Sequence, residues 1–176
     1  MVRFIFCLLF LTISFRPFAQ NNLRDCVVST AYSYIDVRET DGSNRSPEIR
    51  HFFDYLNCTV PYGSPWCAIY VSYCLKYCGV KAPYSAWSPS LFPKYAVKYS
   101  NGIGNNDRVQ KGDVFGIYFT RLGRIAHVGF IVEDRYNMVK TIEGNTNGGG
   151  SRDGDGVYER VRFKSQIAKV ASYYEQ

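Results

Sequence analysis

Cys67 stands in Gly63-Ser64-Pro65-Trp66-Cys67-Ala68-Ile69-Tyr70-Val71, where a turn gives way to an apolar run with helical spacing. Far downstream, His127 lies in the strand-like stretch Ile125-Ala126-His127-Val128-Gly129-Phe130. Glu143 and Asn145 close the next such stretch, Ile142-Glu143-Gly144-Asn145. A helix N-terminus favours the thiolate, the form of cysteine that attacks a carbonyl carbon. An imidazole beside the thiol can hold its proton, and a third polar group can hold the imidazole. Thiol, imidazole and carboxylate are the residue types from which a cysteine hydrolase is assembled.

The choice of base narrows quickly, because the chain has 2 histidines. His51 sits beside Phe52 and Phe53 with Asp54 and Tyr55 following, the setting of a surface or half-buried helical residue. His127 lies in a run so apolar that its ring must find polar partners or lose its hydration uncompensated. Glu143 and Asn145 are two apart, so on a strand they share a face. On a neighbouring antiparallel strand, Glu143 can accept a hydrogen bond from one ring nitrogen of His127 and leave the other facing Cys67. Asn145 is read in three ways: as an alternative orienter of His127, as a donor to the oxyanion, or as a strand end entering a turn. The backbone N–H of Cys67 is a further oxyanion donor, since helix starts have unpaired N–H groups.

These side chains need a helix and at least two strands to position them. Val27, Val28, Ala31, Tyr32 and Ile35 recur at helical spacing between Asp25 and Val37. Ser46-Pro47-Glu48 is a helix start with a cap, a first-position proline and an acid in the first turn, followed by the stripe Ile49, Phe52, Phe53 and Leu56. A third helix is expected from Pro65 until just before Gly79. Ala82 to Asn106, with three prolines at 83, 89 and 93, reads as a loop that shapes a cleft. Strands are expected at 113–119, 124–133, 138–143 and 156–163, with a fifth at 168–174. Short Gly- and Asn-containing connections imply an antiparallel meander, and helices before sheet imply an α+β domain.

The chain of 176 residues is long enough for one domain with its own core, and 15 Tyr with 12 Phe make that core strongly aromatic. Residues 1–19 have a different character: Met1-Val2-Arg3, an apolar run from Phe4 to Phe15, then Arg16-Pro17-Phe18-Ala19. That run is short for a bilayer span and is expected to be a secretory signal peptide cut near Ala19, with an anchor or buried helix as the other reading. The mature domain would be 20–176, periplasmic or secreted, with no stable membrane association. Losing Arg3 and Arg16 lowers the net charge from +6 to +4. No basic run interleaved with aromatics is present, which argues against nucleic acid as a partner.

Export also changes the cysteines. Without Cys7 an odd set remains, Cys26, Cys58, Cys67, Cys74 and Cys78, so at least one thiol stays unpaired. One nucleophile with two disulfides fits this set, as do several buried thiols. Cys74 and Cys78 are read as small core residues, since a bond between them within one helix would have poor geometry. No zinc pattern occurs, and the acids of Asp41-Gly42-Ser43-Asn44 and Asp153-Gly154-Asp155-Gly156 are too few for a calcium ligand set. No metal and no cofactor are expected.

Ser64-Pro65-Trp66-Cys67-Ala68-Ile69-Tyr70-Val71-Ser72 resembles the nucleophile motif of the CHAP domain, the cysteine, histidine-dependent amidohydrolases and peptidases. Lys111-Gly112-Asp113-Val114-Phe115 resembles the Gly-Asp strand ahead of that family's histidine. Ala126-His127-Val128-Gly129 resembles the histidine strand, and Ile142-Glu143-Gly144-Asn145-Thr146 the Glu-x-Asn element. Arg38-Glu39 to Asn44 and Glu48-Ile49 are similar to the segment upstream of the cysteine in some members. The order and spacing of these motifs extend the resemblance over Cys26 to Tyr174. It implies a papain-like α+β fold related to the NlpC-type hydrolases, with helices packed on a C-terminal antiparallel sheet. It also implies peptidoglycan as substrate, Cys67 as nucleophile, His127 as base and then acid, and Glu143 and Asn145 completing the site of a monomer. The bond would be the amide joining muramic acid to L-alanine, or a peptide bond of the stem or cross-bridge. The alternative is a catalytically silent wall-binding or interaction protein of the same fold.

Overall fold

The computed structural model describes residues 16–149 and 154–174. The expected leader therefore lies outside the described residues, apart from Arg16 to Ala19 at the start of the first helix. Among the described residues, no helix is long and apolar enough to cross a membrane.

Three helices come first: α1 (Arg16–Tyr32), α2 (Pro47–Leu56) and α3 (Cys67–Tyr77). The strands follow as β1 (Val97–Tyr99), β2 (Val114–Phe119), β3 (Arg124–Arg135), β4 (Met138–Thr146), β5 (Gly156–Phe163) and β6 (Lys169–Ala171). They form one antiparallel sheet in the order β1-β6-β2-β3-β4-β5, so β2 to β5 are the expected meander. The fold is α+β.

Helix α2 starts where its cap directs: Ser46 Oγ accepts the Ile49 N–H at 3.2 Å, and Pro47 follows in the first turn. Helix α3 is different in kind. Cys67 through Leu75 are all buried, the pattern of a helix enclosed on every side. Its neighbours are α1 and α2 on one side and β3 and β4 on the other. Phe52, Trp66, Tyr70 and Tyr73 pack as an aromatic cluster between α2 and α3. Full burial of a ring of this size stabilises by about 1.5–3 kcal/mol, so this cluster is a main anchor of the helix that carries Cys67.

The strand side of α3 is set by Gly144. A β-carbon there would stand 2.7 Å from Tyr70 Cγ and 2.8 Å from Trp66 Cζ3, closer than atoms can approach. The helix thus lies directly on the backbone of β4, next to Glu143. At the other end of the meander, Asp113 is fully buried just before β2. It accepts from Arg24 at 2.8 Å and from Lys98 at 3.3 Å, tying α1 and β1 to the start of β2.

Several expectations are corrected. The first helix ends at Tyr32 rather than Val37, because Tyr34, Ile35 and Val37 donate to carbonyls three residues back, in tight turns that keep a near-helical spacing. The loop 82–106 contains a strand, β1, and the last strand is shorter than expected. Tyr173 and Tyr174 leave β6 to donate from the core to Leu91 O and Gly112 O. Cys78 is not a core thiol: it is bonded to Cys26, closing α1 against the end of α3, with the Cα atoms 5.9 Å apart. Periodicity along one helix carries no information on which helix crosses it. Cys74 does lie buried, as expected.

The disulfide spans 52 residues, for which loop-closure entropy predicts up to about 4 kcal/mol of stability. Cys26→Ser/Cys78→Ser is expected to lower the thermal midpoint by several degrees in calorimetry. An unchanged midpoint would show that this bond does not hold α1 to α3.

Candidate active site

Cys67 is the first residue of α3, and the preceding Trp66 provides no side-chain cap. The positive end of the helix is therefore directed at the Cys67 end of the cluster. The turn before it is locked by a network. Trp66 N–H donates to Asn145 Oδ1 at 3.2 Å, and Trp66 Nε1 donates to Glu39 Oε1 at 3.0 Å. Asn145 Nδ2 donates to Asn44 Oδ1 at 2.8 Å and to Glu39 Oε1 at 3.3 Å. Asn44 and Asn145 both have left-handed backbones, a conformation asparagine tolerates better than most residues.

Strand β3 carries His127. Ile117 pairs with His127 but Tyr118 pairs with Ile125, so Ala126 is an extra residue that bulges the strand beside the histidine. His127 Nε2 hydrogen-bonds to Glu143 Oε2 at 2.8 Å, and the ring also hydrogen-bonds to the Cys67 sulfur. With Nε2 committed to the carboxylate, Nδ1 is the ring nitrogen left for the thiol. The Val128 N–H and the Ser88 hydroxyl, at 3.8 Å, also contact the sulfur.

Glu143 reaches His127 because of Gly129. A β-carbon on Gly129 would stand 2.9 Å from Glu143 Cγ and 2.8 Å from Phe115 Cε1. The carboxylate is fully buried and fully engaged. Arg162 grips it in a fork, Nε to Oε1 at 2.9 Å and Nη2 to Oε2 at 2.6 Å, and Thr141 Oγ1 donates to Oε1 at 2.6 Å.

The electrostatics follow from this wiring. Burial pushes the Glu143 pKa up, but Arg162 and His127 outweigh it and hold the carboxyl far below the usual range. Burial pulls His127 down from 6.5, yet its hydrogen bonds to Cys67 and Glu143 and the charges of both raise it to about 9. For Cys67, burial raises the pKa, and the hydrogen bond and charge of His127, with Ser88 and the Val128 N–H, bring it below the ordinary thiol value. Among the described free thiols it stands alone in this, since burial pushes Cys58 and Cys74 up. Both shifts favour the thiolate–imidazolium form of the pair.

Cys67 and His127 open into a cavity of about 530 Å³. Its lining includes apolar residues, Ile117, Phe119 and Leu122, and polar ones, Asn44, Asn145, Arg162 and Gln166. Of the residues singled out from the sequence, Cys67, His127 and Glu143 come together in one hydrogen-bonded chain. Asn145 lines the same cavity, but its side chain holds the Trp66 turn and does not orient His127. Both of its amide protons are engaged, so the oxyanion donor left from the sequence reading is the Cys67 N–H. Arg162, Thr141 and Ser88 were not anticipated. Arg162 sits in the alternation Glu159-Arg160-Val161-Arg162-Phe163, which reads as an ordinary half-exposed strand.

Fold and site together define an α+β protein with a thiol–imidazole–carboxylate chain where a helix start meets a sheet. Among solved structures, the chain is similar to an NlpC/P60 family protein from Bacillus cereus ATCC 10987, with a TM-score of 0.48 and 14% identity. The likeness covers 86% of this chain and 40% of that one. No family model and no curated protein matches the chain.

Removing the Glu143 charge withdraws support from the imidazolium. In Glu143→Gln the His127 pKa is expected to fall from about 9 toward 6.5, read by NMR titration of the ring. Gly129→Ala is expected to push Glu143 away from the ring and to lower the same pKa. A midpoint that stays near 9 in both variants would disprove this wiring.

Proposed function

We propose that the protein is an exported cysteine hydrolase of the CHAP type that cleaves an amide or peptide bond in peptidoglycan. The observation that carries this reading is the chain Cys67–His127–Glu143, in which a lowered thiol pKa meets a raised imidazole pKa at a helix start. The substrate class rests on the motif resemblance rather than on the cavity.

In this mechanism the Cys67 thiolate attacks the carbonyl carbon, and the oxyanion is stabilised by the Cys67 N–H. His127 passes its Nδ1 proton to the leaving amine as the C–N bond breaks, leaving a thioester on Cys67. The now neutral ring takes a proton from water, whose oxygen attacks the thioester. The carboxylic acid product leaves and Cys67 departs as thiolate, its partner again imidazolium. Glu143 stays ionised throughout: it orients the ring and stabilises its charge. Arg162 and Thr141 keep that carboxylate in place.

Cys67→Ala is expected to abolish release of fragments from purified peptidoglycan while leaving the thermal transition close to wild type. Mass analysis of the products identifies the bond, since intact stem peptides freed from glycan mean an amidase and split stems an endopeptidase. Retained cleavage in Cys67→Ala would refute the reading. The pH profile of kcat/KM is expected to be bell-shaped. Its acid limb marks protonation of the thiolate, below the ordinary thiol range, and its alkaline limb marks loss of the His127 proton near about 9.

A further inference from the structure

The charges around the cavity do not cancel. Arg162 is matched by Glu143, and the His127 imidazolium is matched by the Cys67 thiolate. Arg124 lines the same cavity, and among the described residues no carboxylate pairs with it. Its guanidinium lies 4.1 Å from the centre of the Trp87 ring, and Nη1 donates to the Ile125 carbonyl at 3.0 Å. These two contacts brace the fork while leaving most of its five N–H donors unused. Trp87 is 52% exposed and immediately precedes Ser88, whose hydroxyl contacts the Cys67 sulfur. The brace therefore stands on the segment that forms one side of the thiol's surroundings.

The bulge explains how Arg124 comes to share the cavity with His127. In a regular strand, residues three apart point to opposite faces. The extra residue Ala126 breaks that alternation, and Arg124, Ala126 and His127 all line the cavity. A planar, charged and pre-oriented guanidinium without a counter-ion among the described residues suits bidentate binding of a carboxylate.

We propose that Arg124, braced on Trp87, is a substrate subsite that binds a carboxylate close to the scissile amide, so that the preferred substrates are acidic peptides. This rests on the reading of Cys67 as the nucleophile, and it adds a selectivity that the nucleophile alone does not supply. Phe119 and Leu122 line the same cavity, so Arg124 is a charged anchor in a lining that is partly apolar.

The test uses two alkylating probes that differ in charge, iodoacetate and iodoacetamide. Rates are measured at Cys67 by peptide mapping, which separates it from Cys58 and Cys74, and are expressed as a ratio normalised to glutathione. The wild-type ratio is expected to favour iodoacetate. It is expected to fall about threefold or more in Arg124→Gln and to fall in Trp87→Leu, where the brace is lost, whereas Arg124→Lys retains most of it. Added salt is expected to erode the wild-type preference, since this cavity is open to solvent. A ratio unchanged in a folded Arg124→Gln protein overturns the subsite while leaving the nucleophile reading intact. If Cys67 reacts with neither probe faster than glutathione does, the nucleophile reading fails and the subsite with it.

Discussion

An ionised carboxylate sealed inside a sheet is costly unless nearly all of its hydrogen-bonding capacity is met, and Glu143 meets it. The fork of Arg162, the hydroxyl of Thr141 and the ring of His127 converge on its two oxygens. The consequences run outward from there. A charge held in this way cannot neutralise itself at working pH, so it fixes the orientation of His127 and supports its protonated form. The protonated ring in turn supports a thiolate on Cys67, against the burial that would otherwise keep the sulfur protonated. Removing one partner would leave the others buried and uncompensated, which is why the chain behaves as a unit.

That unit exists only because three backbone features let its members approach. Gly144 lets α3 lie on β4, bringing the helix start at Cys67 beside the strand that carries Glu143. Gly129 leaves the space through which Glu143 reaches the imidazole. The extra residue at Ala126 re-aims His127 so that it serves the cavity together with Arg124. Behind the turn that leads into Cys67, the polar side chains of Glu39, Asn44 and Asn145 hold Trp66, which takes Asn145 away from the histidine. The site is thus built by close packing at a helix–sheet junction, with polar groups spent on positioning as much as on chemistry.

Much of this was legible before any coordinates. The cap at Ser46 and Pro47, the apolar run after Pro65 and the alternation through β2 to β5 are local signals, and local signals survive in a linear string. The apolar setting of His127 likewise marked it as needing a polar partner, and the spacing of Glu143 and Asn145 offered two on one strand face. Arg162 escaped notice because half-exposed strands commonly alternate basic and apolar residues, and nothing nearby in sequence points to Glu143. Cys78 escaped because its partner, Cys26, lies across a helix crossing. Strand β1 escaped because it has three residues inside a proline-rich loop and is held by β6 from the far end of the chain.

By itself the sequence determined the α+β order, a helix starting near Pro65 that carries Cys67, and the residue types able to activate it. These depend on periodicity, caps and turns, which act over a few residues. Tertiary structure alone decided which groups share a proton and which share a charge. It chose Glu143 over Asn145 for His127, matched Arg162 to Glu143, and left Arg124 without a counter-ion among the described residues. Such pairings depend on distances between strands and on the empty space above two glycines, and chain neighbours do not record either.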